Sequence, residues 1–257
     1  MKNVKKQNSI QLESKVIESF KTIDVSKCKE CEEYCRRWNL PLHGPLSFFN
    51  IGENFGHDQY GVVFVGKATW YNQNNVNEVS FLTPNIRDCR DGGTKMILER
   101  RSSYWKFIKK IAQQLYPEKN EAELLDYISI TNLTKFNTSK SFHDETPLFL
   151  TKNCIDNIFE KENTALQPKH MIFLTGTHYD KYINRLKFGY ATNKDRSTQT
   201  DKKENVKKES VWWWHRESIE NGKVKMHFLR TRYPLFVPNE NEFAIEIANW
   251  IKENETL

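Results

Sequence analysis

The sequence predicts an α/β fold: a three-layer α/β/α sandwich around a central, mostly parallel four-stranded sheet. An N-terminal helical arm and a C-terminal β-hairpin insert complete the expectation. Three observations lead to it. The runs Val62-Val63-Phe64-Val65 and residues 170–174 are short and apolar and residues 127–133 are β-branched, each closed by glycine or polar residues, as buried strands are. Between them lie segments whose apolar residues recur at helical spacing. Strands alternating with helices in this way build βαβ units, and hence a parallel sheet covered on both faces.

Taken in order, residues 1–45 read as the helical arm and residues 46–257 as the main domain, with a polar insert at about 191–210. Val16, Ile17 and Phe20 make an apolar stripe on the arm, and Pro41-Leu42-His43-Gly44-Pro45 breaks it. Residues 73–95 are polar and contain Thr83-Pro84-Asn85 and Asp91-Gly92-Gly93, a long loop of the kind that often carries function. Tyr104, Trp105, Ile108, Ile111, Ala112 and Leu115 place an amphipathic helix over 102–116. A short helix over 121–126 leads into the second strand, and a helix over 151–163 precedes the third. Asn193 to Lys208 is almost wholly polar and reads as a solvated loop. Residues 211–215 and 224–229 flank Asn221-Gly222, a hairpin signal. One of the three adjacent tryptophans at 212–214 must face inward if they lie on a strand. A last helix over 242–252 buries Phe243, Ile247 and Trp250.

Composition narrows the function classes. No apolar run is long enough to span a bilayer, and the basic first residues lack the apolar segment of a secretory signal. A soluble, cytoplasmic monomer is expected. The net charge of +6 and an aromatic fraction of 13% suit a polyanionic partner whose bases can stack, which points to DNA. No glycine-rich phosphate cradle is present, so a general nucleotide-binding role ranks last.

Cys28, Cys31 and Cys35 sit at i, i+3 and i+7, one face of a helix. They read either as small packed side chains or as thiolates for a metal or an iron–sulfur cluster, with Cys154 or Cys89 as a fourth ligand.

Ligands of open α/β sheets bind beyond the carboxyl ends of the strands. Four such ends are candidates: Gly66-Lys67-Ala68-Thr69-Trp70-Tyr71-Asn72, Thr131-Asn132-Leu133-Thr134-Lys135, Thr175-Gly176-Thr177-His178-Tyr179, and Thr231-Arg232-Tyr233-Pro234-Leu235. Asn132, an amide with both donor and acceptor, is suited to read the edge of a base, or alternatively to cap a turn.

The order and spacing of these four segments resemble the uracil-DNA glycosylase superfamily, in a divergent bacterial branch, over roughly residues 58–252. The resemblance implies a DNA N-glycosylase that flips out a modified or damaged base and hydrolyses its glycosidic bond. It implies base contacts from Ala68, Thr69, Trp70, Tyr71 and Asn132. It implies DNA contacts from Lys135, Thr177, His178, Arg230, Arg232, Pro234, Leu235 and Phe236, with Leu235 and Phe236 wedging into the gap left by the base. The catalytic candidates are Lys67, Asn72, Asp88 and Tyr233: Asn72 to position water, Asp88 or Asp91 to supply a carboxylate, and Tyr233 where relatives carry a histidine. Lys67 and Ala68 stand where relatives have a carboxylate or amide, which turns the expectation away from uracil itself. The alternative is a nucleic-acid-binding protein on the same fold without chemistry. Cofactors are not required, although the iron–sulfur branch matches at Cys28, Cys31 and Cys154. It departs where Phe136 replaces a cysteine, leaving Cys35 to substitute.

Overall fold

The computed structural model describes residues 2–42, 50–68, 98–99, 103–136, 138, 147–186, 191–192, 196–200, 211–237 and 239–255. The fold is mixed α/β. The strands are β1 (Asn50–Ile51), β2 (Val62–Ala68), β3 (Ile128–Thr134), β4 (His170–Phe173), β5 (Ala191–Thr192), β6 (Arg196–Thr200), β7 (Val211–Glu220) and β8 (Lys223–Arg230). Among the described residues all eight join one mixed sheet in the order β1-β3-β2-β4-β8-β7-β5, with β6 also paired to β7. The helices are α1 (Lys2–Phe20), α2 (Val25–Arg37), α3 (Ser103–Leu115), α4 (Glu121–Leu124), α5 (Leu148–Cys154), α6 (Glu160–Leu166), α7 (Asp180–Ile183) and α8 (Glu240–Glu253). A π-helical turn, Ile155–Phe159, joins α5 to α6. Among the described residues no helix is long and apolar enough to cross a membrane.

The expected four-stranded sheet is corrected in two respects. β3, β2, β4 and β8 do run parallel to one another, but β1, β5, β6 and β7 extend them with antiparallel pairings. The hairpin is also not an insert. Its second strand lies inside the sheet between β4 and β7, with His170 opposite His227 and Phe173 opposite Arg230. Lys223 and Lys225 are exposed, whereas Met226 to Arg230 are all buried. Only the second half of β8 has the continuous burial of an inner strand. Asn221 and Gly222 turn the hairpin with φ of 51° and 74°, the left-handed pair that a two-residue turn needs.

The expected solvated insert holds further strand. β6, all polar, pairs with β7 so that Thr198 opposes Trp214. Ladder bonds come from the backbone and need no apolar side chain. Residues 201–210 lie outside the described part.

β2 shows why the sheet is buried on both faces. Val63 and Val65 join one apolar cluster, Val62 and Phe64 the other, as the two-residue period of a strand requires. On the first face lie Val16 and Phe20 of α1, Cys31 of α2, Leu150 of α5 and Leu166 of α6. On the second lie Ile108 and Ile111 of α3 with Phe243, Ile247 and Ile251 of α8. α1 and α2 therefore share the core of the sheet and do not stand apart as an arm. Asp24 caps α2 by accepting from Ser26 N at 2.9 Å.

Candidate functional site

Parallel pairing aligns the carboxyl ends of β3, β2, β4 and β8 along one edge. Three backbone bonds hold the ends of β2, β4 and β8 together. Leu174 N donates to Val65 O, Gly176 N to Thr231 O, and Thr231 N to Phe173 O, each at 2.9 Å. Gly176 adopts φ 69° with ψ −172°, an extended positive-φ conformation that essentially only glycine takes, and it lies against Tyr233 N. The segment after β8 is thus laid back over the edge toward β2.

That path delivers Tyr233 to the end of β2. Lys67 Nζ lies 4.6 Å from the centroid of its ring, within cation–π range. Another neighbour is Tyr104 of α3, stacked at 6.2 Å between centroids and 18° between planes. Beneath them Gly66 and Asn132 oppose each other in the β2–β3 register. The Asn132 Oδ1 and Tyr104 hydroxyl both crowd the position that a Cβ on Gly66 would take, the hydroxyl at 2.7 Å from it. Asn132 is buried. The Tyr104 hydroxyl is shielded from solvent and has no hydrogen-bond partner among the described residues.

Burial pushes both phenols up, and at Tyr104 the neighbouring Tyr233 adds to that effect. Both stay neutral at ordinary pH, so each offers an O–H donor. An amide, two phenols, aromatic faces and an ammonium group meet at one strand edge. Such a set can hold a planar polar ligand by stacking and hydrogen bonds.

The structure brings together three of the residues singled out from the sequence: Lys67, Asn132 and Tyr233. It adds Tyr104, which helical spacing alone assigned to an apolar stripe. The signal that could have found it was a tyrosine in the first turn of the helix that follows the long polar loop.

Lys135 and Arg230 are corrected. Lys135 turns inward, buried, to pair with Glu162 and donate to Thr131 Oγ1 at 2.5 Å, with its Nζ 5.5 Å from the Phe159 ring centroid. Arg230 is also buried, bonded to Asp180 Oδ2 at 2.7 Å and set over the Trp214 ring at 5.6 Å. A buried cation needs a partner inside the protein, and both are committed to one, so neither presents its charge to DNA. Thr177 and His178 are exposed on the 3-10 turn after β4. Arg232 is half-buried, Pro234 buried and Leu235 63% exposed. Phe236 closes the 3-10 turn Pro234–Phe236, its side chain outside the described part. Ala68 ends β2 opposite Thr134. Thr69, Trp70, Tyr71, Asn72, Asp88, Cys89 and Asp91 lie outside the described residues.

Cys28, Cys31, Cys35 and Cys154 are all buried free thiols within one apolar cluster. Asn153 Nδ2 donates to Cys31 Sγ at 3.5 Å and Asn157 Nδ2 to Cys28 Sγ at 3.8 Å. Burial pushes Cys28 and Cys35 up to about 11 and Cys154 to about 12. Among the described residues no group of three or more His, Cys, Asp or Glu side chains is placed to hold a metal ion.

No protein-family model matches the chain, and no curated protein matches it at a significant level.

Proposed function

We propose that the protein acts on DNA as a glycosylase-like enzyme. It extrudes a modified or damaged base and hydrolyses its N-glycosidic bond. The observation that carries this reading is the placement of Asn132. A buried amide is seated over Gly66 at the carboxyl edge of a parallel sheet, among Tyr104, Tyr233 and Lys67. A base in duplex is out of reach, and an enzyme of this kind must hold it flipped out by its pairing edge and a stacking face. Asn132 reads the edge, and an aromatic ring at the strand ends supplies the face. Leu235, exposed just beyond Tyr233, fills the space that the base vacates. In the reaction a water oxygen bonds to C1′ of the sugar, and the base leaves with the bonding electrons and a proton. Lys67 donates that proton or bonds the departing base.

Release of a free base, followed by liquid chromatography over a panel of lesion-bearing and naturally modified DNAs, tests the reading. Release should be abolished by Asn132→Ala. One observation favours a second reading, a nucleic-acid binder without chemistry. The ammonium at the end of β2 opposes the positive charge that builds on the sugar during cleavage. Salt-dependent DNA binding with no base released from any substrate would favour it.

A further inference from the structure

We propose that Tyr104 is a specificity-determining residue of this site. Its hydroxyl donates a hydrogen bond to the base held against Asn132, and so selects bases with a lactam edge, a carbonyl oxygen beside a ring N–H. The inference rests on the nucleobase reading above and deepens it.

The oxygen of Tyr104 is what calls for an explanation. Its ring is accounted for by packing, stacked on Tyr233 and edge-on to Trp105 at 4.8 Å and 78°, and a phenylalanine would pack there equally well. The hydroxyl is fully shielded yet has no partner among the described residues. Buried polar groups in native proteins are nearly always bonded, and an exception asks for a reason. Here the group lies beside a second polar atom, Asn132 Oδ1, with both pressed over the same point of Gly66. A glycine at 66 leaves room for that pair, since any Cβ would displace one or both. The two atoms differ in kind. The amide oxygen accepts, whereas the phenol, kept protonated by burial, donates. An acceptor beside a donor complements an edge that offers an N–H beside a carbonyl. Uracil and hypoxanthine carry that edge. Cytosine and adenine present an amine with an unprotonated ring nitrogen instead.

A site built to bond a particular group rejects ligands lacking it more strongly than an apolar pocket rejects a wrong shape, because its own polar atoms are then left unpaired. Tyr104 would therefore act on the ratio between bases more than on binding as a whole.

Tyr104→Phe in the full-length protein removes the single oxygen. Calorimetric titration of wild type and variant with free uracil, hypoxanthine, cytosine and adenine, alongside their melting curves, tests the inference. Melting should be unchanged or slightly raised. Affinity for uracil and hypoxanthine should fall by about tenfold or more while cytosine and adenine stay put. A variant melting several degrees lower would mean that the hydroxyl is already bonded in the free protein, and overturns the inference. Equal affinities of wild type and variant for every base also overturn it, leaving the nucleobase reading intact. A wild type that binds none of the four bases and releases none from DNA defeats that reading, and the inference with it.

Discussion

Asn132 faces Gly66 across the β2–β3 register, and its Oδ1 occupies the space that a Cβ on residue 66 would need. The strand interior thus decides the geometry of the site. A residue without a side chain lets an amide from the next strand lie flat over the backbone at the sheet edge.

Gly66→Ala should be costly for that reason. The added methyl must push aside Asn132, Tyr104 or both, and overpacking of this kind costs about 1–3 kcal/mol. Urea denaturation should record a loss in that range. Whatever ligand the site binds should be lost with it, and an unperturbed variant would show that the crowding is relieved elsewhere.

Lys135 and Glu162 form a pair whose side chains are 0% and 1% exposed. Lys135→Met alone leaves a buried carboxylate without its cation, which costs about 3–5 kcal/mol. Combining Lys135→Met with Glu162→Leu should recover most of it, since a well-packed apolar pair often matches a buried ion pair. Denaturant midpoints of the single and double variants test this, and a double variant no more stable than the single would refute it.

His227 is buried against the His170 ring at 5.4 Å, and its Nδ1 has no partner among the described residues. Burial, with His170 and His215 nearby, lowers its pKa from 6.5 to about 4. Between those values the unfolded chain holds the proton and the folded chain does not. The contribution is therefore fully present above pH 6.5 and lost as pH falls toward 4, on the order of 3 kcal/mol. His227→Phe should lessen the loss of stability between pH 7 and pH 4, measured by chemical denaturation at each pH. An identical pH dependence in both proteins would count against it.

Cys28, Cys31, Cys35 and Cys154 should resist alkylation in the native state. Their thiols are buried and pushed upward by that burial, and only the thiolate reacts. With maleimide at neutral pH, site-resolved mass spectrometry should find these four modified only as fast as the protein unfolds. Rapid labelling of any of them in folded protein would contradict the packing.

Where burial and periodicity coincide, the chain was legible before folding. The amphipathic spacing from Tyr104 to Leu115 marks α3 to within a residue at each end. Apolar runs mark β2 and β4 and a β-branched run marks β3, because strands buried on both faces are rich in such residues. β8 is legible as a hairpin strand over 224–229, but its place in the sheet is not. Lys223 and Lys225 disguise a strand whose second half lies beside β4. β6 was hidden altogether, since its place in the sheet comes from backbone pairing with β7.

By itself the sequence determined the mixed α/β class and nominated the strand ends where polar and aromatic residues gather. These are local properties, set by spacing along the chain and by turn chemistry. Tertiary structure alone decided which of those residues meet. A lysine reads as an exposed charge whether it faces solvent or a buried glutamate, so only packing could turn Lys135 and Arg230 inward. Only the register between strands could bring Asn132 over Gly66, with Tyr104 closing on the same point from a helix on one face of the sheet. Contacts between segments distant in sequence depend on how elements pack, which no local pattern encodes.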